Sequence, residues 1–224
     1  ILCYLLAKST GRPVKSTMDY SEELLAMDPR HPSQMRIKAG VKRDGTLTAW
    51  QAEIAFATGG YAAYAPTPPL YIIGIQEIVG PYVVPHMTID ADQVYTNTVP
   101  CGFARAPGEF QGIFAGESHM DVIAQELGMD PVDLRMKNIG HEGDALPNGH
   151  VYQAIRLEET LRAAADASGY FDQKPANVGR GIAIGHRSQI GGDAHVVVDV
   201  HPDGRIVAGV PSFDPGPGTF TIVA

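Results

Sequence analysis

The chain has 224 residues, of which 44% are hydrophobic and 19% charged, the composition of a packed globular protein with room for one sizeable domain or two small ones. A formal net charge of −8 argues against nucleic acid and anionic membrane surfaces, both of which favour clustered Lys and Arg. No apolar run reaches the roughly 18 residues that a membrane-spanning helix needs.

The opening residues 1–10 place Leu2, Leu5 and Leu6 on one helical face, and Gly11 with Arg12-Pro13 stops the helix. This stretch lacks the basic start and small-residue cleavage site of a signal peptide, and it lacks an initiator Met. Residues 220–224 are apolar with no polar tail, so both ends read as interior to a longer polypeptide. Residues 12–20 read as a short strand. Ser21 is the expected N-cap of a helical turn that ends at Pro29 to Pro32. Residues 34–41 and 47–56 alternate polar and apolar about Lys42-Arg43-Asp44-Gly45, which predicts a β-hairpin. Residues 58–69 read as irregular, 70–78 as helix, and 82–96 as extended with His86 in the middle.

A loop over 97–108 leads into a helix from Glu109. Ile113, Phe114, Met120, Ile123, Ala124 and Leu127 recur at three- and four-residue steps on one face, and Gly128 closes the helix. Asp130 at N-cap and Pro131 at the first helical position open a second helix to about Asn138. A third helix spans 157–168, and 172–179 reads as a linker. Strands are expected at 181–185 and 194–200, with a hairpin turn at Pro202-Asp203-Gly204 and a return over 205–210. Hairpins, then helices, then hairpins predict an α+β fold of mixed sheets and packed helices.

Cys3 and Cys101 are too few for a disulfide framework, which favours a reducing compartment. The eight histidines form no HxxxH pair and no CxxC occurs, so a metal held by protein side chains is not expected. The most informative stretch is Thr98-Val99-Pro100-Cys101-Gly102-Phe103-Ala104-Arg105-Ala106-Pro107-Gly108. Small residues flank a single Arg at the entrance to a helix, where backbone N–H groups favour an anion and Arg105 supplies a planar donor fork. The alternative is a loop whose Arg caps a carbonyl or pairs with Glu109. Gly216-Pro217-Gly218-Thr219 is a second candidate, since Gly-rich loops with a hydroxyl cradle phosphate or pterin heteroatoms, although from the residues alone such a run is more often a plain turn. Gly59-Gly60-Tyr61 reads as a strand end with a bend. Glu117 and Asp121 share a helix face and read as solvated or capping groups.

The ordered set Gly11-Arg12-Pro13-Val14-Lys15, Pro29-Arg30-His31-Pro32, Gly102-Phe103-Ala104-Arg105-Ala106-Pro107-Gly108-Glu109, Glu117-Ser118-His119-Met120-Asp121, Asp130-Pro131-Val132-Asp133-Leu134-Arg135-Met136-Lys137-Asn138, Gly179-Arg180-Gly181 and the segment 214–219 covers nearly the whole chain. It closely resembles the molybdopterin-binding large subunit of the xanthine dehydrogenase/aldehyde oxidase family of molybdenum hydroxylases. The resemblance implies an internal fragment of such a subunit. Residues 1–174 would be the C-terminal part of its first molybdenum-cofactor-binding domain and 175–224 the start of the second. It implies an oxidoreductase that hydroxylates an aldehyde or aromatic N-heterocycle with oxygen from water, with a pterin holding the molybdenum through dithiolene sulfurs. The cofactor would take the cytosine dinucleotide form if the source is bacterial. Iron–sulfur clusters and FAD would reside on modules or subunits outside this chain, and the location would be cytoplasmic, with the periplasm as the alternative.

Carried over residue by residue, Phe103, Ala104 and Arg105 fall where the family's loop approaches the cofactor. Gly216, Pro217, Gly218 and Thr219 fall at a second cofactor loop. Pro107 stands where many members have a Phe lining the substrate pocket, which removes a stacking ring and speaks against purine specificity. Pro217 replaces a side-chain amide donor. The Cys-Ser-x-Arg loop of carbon monoxide dehydrogenases is absent. The family's Gly-rich, Phe-containing loop is expected upstream of Ile1 and its general-base Glu downstream of Ala224, so no catalytic residue is assigned within the chain. The piece alone is expected to be inactive and to self-associate through apolar surface. The competing reading is a stand-alone, non-catalytic binding or assembly domain that keeps the fold; a reading frame confined to these residues would favour it.

Overall fold

A computed structural model describes residues 1–27, 29–61, 75–102, 104–145, 151–185, 193–212 and 218–223. The chain divides into two compact units, Ile1–His186 and Arg187–Ala224.

The first unit opens with helix α1 (Leu2–Thr10), closed by Gly11 at φ 66, a left-handed position that costs glycine little. Helix α2 (Tyr20–Ala26) follows an irregular stretch where a strand was expected. Its N-cap is Asp19, not Ser21. The Asp19 carboxylate accepts from the Glu22 N–H at 2.9 Å, and the Glu22 carboxylate accepts from the Asp19 N–H at 2.9 Å. This reciprocal box satisfies two end donors of the helix, where a Ser21 cap would start it two residues later. Neither helix buries a residue, and Leu2, Leu5, Leu6, Leu24 and Leu25 are all exposed.

Strands β1 (Ser33–Val41) and β2 (Leu47–Gly59) form the predicted antiparallel hairpin. Gly45, at φ 88, turns the chain, and its N–H donates to the Lys42 carbonyl at 2.9 Å. Strand β3 (His86–Tyr95) lies on the other side of β2 and runs parallel to it. His86 therefore opens the strand instead of sitting in its middle. The residues before it turn elsewhere: Tyr82 bridges to Ile139.

Alternation along β2 buries Trp50, Ala52, Ile54 and Phe56 on one face. That face shares a core with Met120, Ile123 and Ala124 of helix α3 (Glu109–Leu127) and with Val132 and Leu134 of helix α4 (Pro131–Asn138). The opposite face carries Arg36, Glu53, Asp90 and Asp92 around a shallow depression, a solvated polar surface with one Arg36–Glu53 ion pair at 3.8 Å. A 3-10 turn (Ile75–Val79) accounts for the end of the predicted 70–78 helix, whose start lies outside the described residues. Helix α3 presses against this turn so closely that a Cβ on Gly116 would sit 2.2 Å from the Ile78 carbonyl oxygen. Gly112 and Gly116 thus lie on its buried face. Phe114 lies away from that face and is 72% exposed, contrary to the sequence expectation.

Asp130 caps α4 through the Val132 N–H at 2.7 Å, with Pro131 in the first turn, as predicted. Asn138 closes α4 and locks the hairpin onto it. Its side-chain oxygen accepts from the Leu47 N–H at 2.8 Å, and its amide donates to the carbonyls of Gly45 at 2.9 Å and Leu134 at 2.8 Å. Helix α5 (Leu157–Ala167) packs on through Leu161 and Ala165. Residues 181–185 form no strand, because the Ile184 N–H donates to the Glu117 carboxylate at 2.8 Å instead of to a neighbouring strand.

The second unit contains a two-stranded antiparallel hairpin, β4 (Val197–Val200) with β5 (Ile206–Gly209), and a short helix α6 (Thr219–Val223). All four residues of each strand are exposed. Helices beside mixed sheets make the fold α+β, as the sequence predicts.

The core also holds an acid-sensitive contact. His119 meets Trp50 edge to face, with centroids 5.3 Å apart, and burial lowers its pKa below the ordinary 6.5. A lowered histidine pKa means the unfolded chain takes up the proton first. The stability it contributes is therefore complete above pH 6.5 and lost as pH falls through the folded-state pKa. Fluorescence of Trp50, the sole tryptophan, should quench in that lower range as the imidazole becomes charged, and His119→Gln should abolish the titration. A midpoint at or above 6.5 contradicts the burial argument.

Candidate functional site

The loop over 102–108 is built by close approach of main chain. The end of β2 bends at Gly59, φ 78, where a Cβ would lie 2.2 Å from the Val99 carbonyl oxygen. The Cys101 N–H donates to the Thr58 carbonyl and the Gly60 N–H to the Thr98 carbonyl, each at 2.9 Å. The tight approach at Gly59 is therefore to the protein's own backbone, in keeping with a bent strand end. It fixes residues 98–101 on the sheet.

Beyond Cys101, the Gly102 N–H donates to the Pro29 carbonyl at 3.3 Å, and the Ala104 N–H to the Gly102 carbonyl at 2.9 Å. Arg105 is exposed and makes no ion pair or hydrogen bond among the described residues, so the sequence alternative of a carbonyl cap or a Glu109 pair is not what is seen there. Ala106 sits at φ 60, a left-handed conformation that costs an L-residue about 1–2 kcal/mol. Such strain persists where surrounding contacts over-determine it, and it concentrates at binding loops. Pro107 is half-buried, and Gly108, φ 79, is the N-cap of α3. Gly108 has no side chain to cap the first turn, so the leading N–H groups of a 19-residue helix stand beside a free guanidinium. A helix start and an exposed guanidinium, next to the buried Glu109 carboxylate, make an arrangement suited to anionic or oxo oxygen atoms.

Ala104, Arg105 and Pro107 are thus brought together in the first unit, while Phe103 lies outside the described residues. In the second unit Gly218, φ 84, accepts at its carbonyl from the N–H groups of Thr221 at 3.0 Å and Ile222 at 3.1 Å, and Thr219 begins α6. Gly216 and Pro217 lie outside the described residues.

The carboxylates near the loop are engaged in structure. Glu117 is buried, not solvated. It accepts from the Tyr82 hydroxyl at 2.5 Å, from Arg135 Nε at 2.8 Å and from the Ile184 N–H at 2.8 Å. Arg135, fully buried, also donates to the carbonyls of Glu117 and Pro131 at 3.1 Å each and pairs with Asp121 at 2.9 Å. Burial pushes the Tyr82 hydroxyl pKa well up, aided by the Glu117 charge. Burial alone would lower the Arg135 pKa, but Glu117, Tyr82 and Asp121 together outweigh it and hold the guanidinium charged. Both Glu117 oxygens are held by partners inside the fold, so this cluster reads as a structural anchor. Sequence spacing found the Glu117 and Asp121 face but could not find Arg135, because the partner lies 18 residues away on another helix.

Comparison with known proteins agrees with this architecture. Residues 1–139 match the family model for the molybdopterin cofactor-binding domain. The chain is 38% identical over 165 residues to the nicotinate dehydrogenase large molybdopterin subunit of Eubacterium barkeri, covering 73% of this chain and 38% of that protein. It is 33% identical over 191 residues to the aldehyde oxidoreductase of Megalodesulfovibrio gigas, covering 82% of this chain and 21% of that one. Among solved structures, the aldehyde oxidoreductase from Desulfovibrio desulfuricans superposes with a TM-score of 0.77 at 25% identity, over 93% of this chain and 24% of that chain. The chain therefore belongs to the molybdopterin cofactor-binding family of xanthine dehydrogenase/aldehyde oxidase-type oxidoreductases. It spans between about a fifth and two fifths of the length of these relatives.

The buried cluster makes a stability prediction. Arg135→Met leaves the Glu117 carboxylate buried without its cation, which costs about 3–5 kcal/mol. Chemical denaturation should show that loss as a lower midpoint; a change below about 1 kcal/mol would mean the pair is not the anchor described.

Proposed function

We propose that this chain supplies cofactor contacts and one wall of the substrate pocket to a molybdenum hydroxylase that oxidises an aldehyde or aromatic N-heterocycle. The observation that carries the reading is the exposed Arg105 guanidinium, unpaired among the described residues, at the start of α3, which has no side-chain cap, in a loop strained at Ala106. Its donors match the oxo and phosphate oxygens of a pterin cofactor, and among the described residues no cluster of His, Cys, Asp or Glu could hold a metal directly. When bound, the molybdenum cofactor supplies oxygen transfer from water and accepts two electrons.

The chain's own residues do the holding. Arg105 donates in a fixed plane to an anionic oxygen, which positions the cofactor without covalent attachment. Ala104 and Ala106 have side chains small enough to let a ligand lie against the backbone. Phe103 belongs to the same loop. Pro107 forms a pocket wall without an aromatic face, which favours an aldehyde over a substrate held by ring stacking. Gly216, Pro217, Gly218 and Thr219 make a second set of contacts, through backbone groups and the Thr219 hydroxyl. The cofactor takes the cytosine dinucleotide form if the source is bacterial. Iron–sulfur and flavin groups that would accept electrons belong to other modules or subunits, and the general-base Glu belongs to another part of the same subunit. The exposed leucines of α1 and α2 are the surface through which the piece alone self-associates.

Arg105→Ala in the complete subunit tests this reading. A charged hydrogen bond contributes about 1.5–3 kcal/mol, so cofactor affinity should fall by about ten-fold or more. Thermal stability of the cofactor-free protein should change by less than about 0.5 kcal/mol, because the side chain is exposed. Undiminished molybdenum by metal analysis would contradict the reading, and insoluble protein would assign Arg105 to the fold.

A further inference from the structure

The segment Pro29, Arg30 and His31 crosses both ends of the 102–108 loop. At the near end the Pro29 carbonyl accepts from the Gly102 N–H at 3.3 Å. At the far end Arg30 Nη1 donates to the Ala106 carbonyl at 3.4 Å, across 76 residues of sequence. The same guanidinium lies over the Phe110 ring, 5.0 Å from its centroid. Gln111 Nε2 donates to the His31 carbonyl at 3.0 Å, which ties the first turn of α3 to the segment as well. The segment is itself anchored: the His31 ring packs edge-on against buried Phe56 at 6.2 Å, and the Pro32 carbonyl accepts from the Ala57 N–H at 2.9 Å.

We infer that Arg30 is a positioning residue: it grips the Ala106 carbonyl from a platform on Phe110, holds Ala106 in its left-handed conformation, and so sets the direction in which neighbouring Arg105 points. An L-residue at φ 60 relaxes to ordinary backbone unless something restrains it, and the Arg30 bond is the restraint on its carbonyl. The contact needs both a cation over a ring and a donor beyond it. A guanidinium supplies both at once, a lysine ammonium supplies each less well, and a methionine supplies neither. The relation of Arg30 to loop geometry stands on these contacts alone. Its relation to cofactor retention rests on the function proposed above.

The test uses the complete subunit in cofactor-free form. Trypsin cleavage after Arg105, followed by mass spectrometry, reads how often the loop opens. In Arg30→Met this cleavage should accelerate about five-fold or more, while the unfolding midpoint and cleavage at distant sites such as Arg162 stay unchanged. Arg30→Lys should recover part of the protection. Unchanged cleavage after Arg105 overturns the inference. So does a uniform rise at all basic sites, or a rise that Arg30→Lys fails to reduce, since both describe general loosening. Molybdenum content then separates the two claims. Faster local cleavage with molybdenum lost supports both; faster local cleavage with full molybdenum keeps the positioning role and defeats the assignment of the loop to the cofactor.

Discussion

The first unit depends on one buried carboxylate. Glu117 sits midway along α3 and accepts hydrogen bonds from the Tyr82 hydroxyl, from the Arg135 guanidinium on α4 and from the Ile184 main-chain N–H. Four stretches of chain far apart in sequence thereby meet at two oxygen atoms. A buried ion pair of this kind is weak evidence of net stability, because desolvating two charges offsets much of their attraction. Its effect is on geometry: each partner can satisfy its charge only with α3, α4 and the Tyr82 and Ile184 segments in one arrangement. Asp121 accepts from the same guanidinium at 2.9 Å and is half exposed, which extends the cluster towards the surface.

Fixing the middle of α3 fixes its beginning. Gly116 allows the helix to press on the Ile78 carbonyl, and the small residues of this face bring it close to the 3-10 turn. The N-terminus is then held at a set height beside the end of β2. There Gly59 lets residues 98–101 lie directly on the strand. The loop from Gly102 to Gly108 spans these two points, with Arg30 on the Ala106 carbonyl between them. The strain at Ala106 is the local cost of bridging them, and it leaves Arg105 outside the packing, free to meet something that is not part of the chain.

Features with a local cause were legible in the sequence. The Lys42-Arg43-Asp44-Gly45 turn, the Gly128 stop and the Asp130-Pro131 helix start each act over four or five residues, and each formed as expected. Even the missed capping box was local: Asp19 and Glu22 have the required spacing, but Ser21 was the more obvious cap. What was not legible depends on partners at long range. Phe114 matches helical periodicity as well as Met120 does, yet only tertiary contacts decide which side faces the sheet. Residues 181–185 read as a strand, but Glu117 offers Ile184 a stronger acceptor than an edge would. The parallel pairing of β2 with β3 likewise joins segments separated by a long connection. The loop stood out in sequence through its small residues around one Arg, while Arg30 became visible only when the fold carried it across to Ala106.

On the reading we propose, the 102–108 loop and the start of α3 form a preset receptor for the anionic oxygens of a pterin cofactor. Hydrogen exchange of the complete subunit, measured with and without cofactor, tests it most directly. Slower exchange on cofactor binding, concentrated at the amides of Ala104, Arg105, Ala106, Glu109 and Phe110, is the predicted result. Equal exchange at those amides in both states, with protection confined to other parts of the subunit, would contradict it.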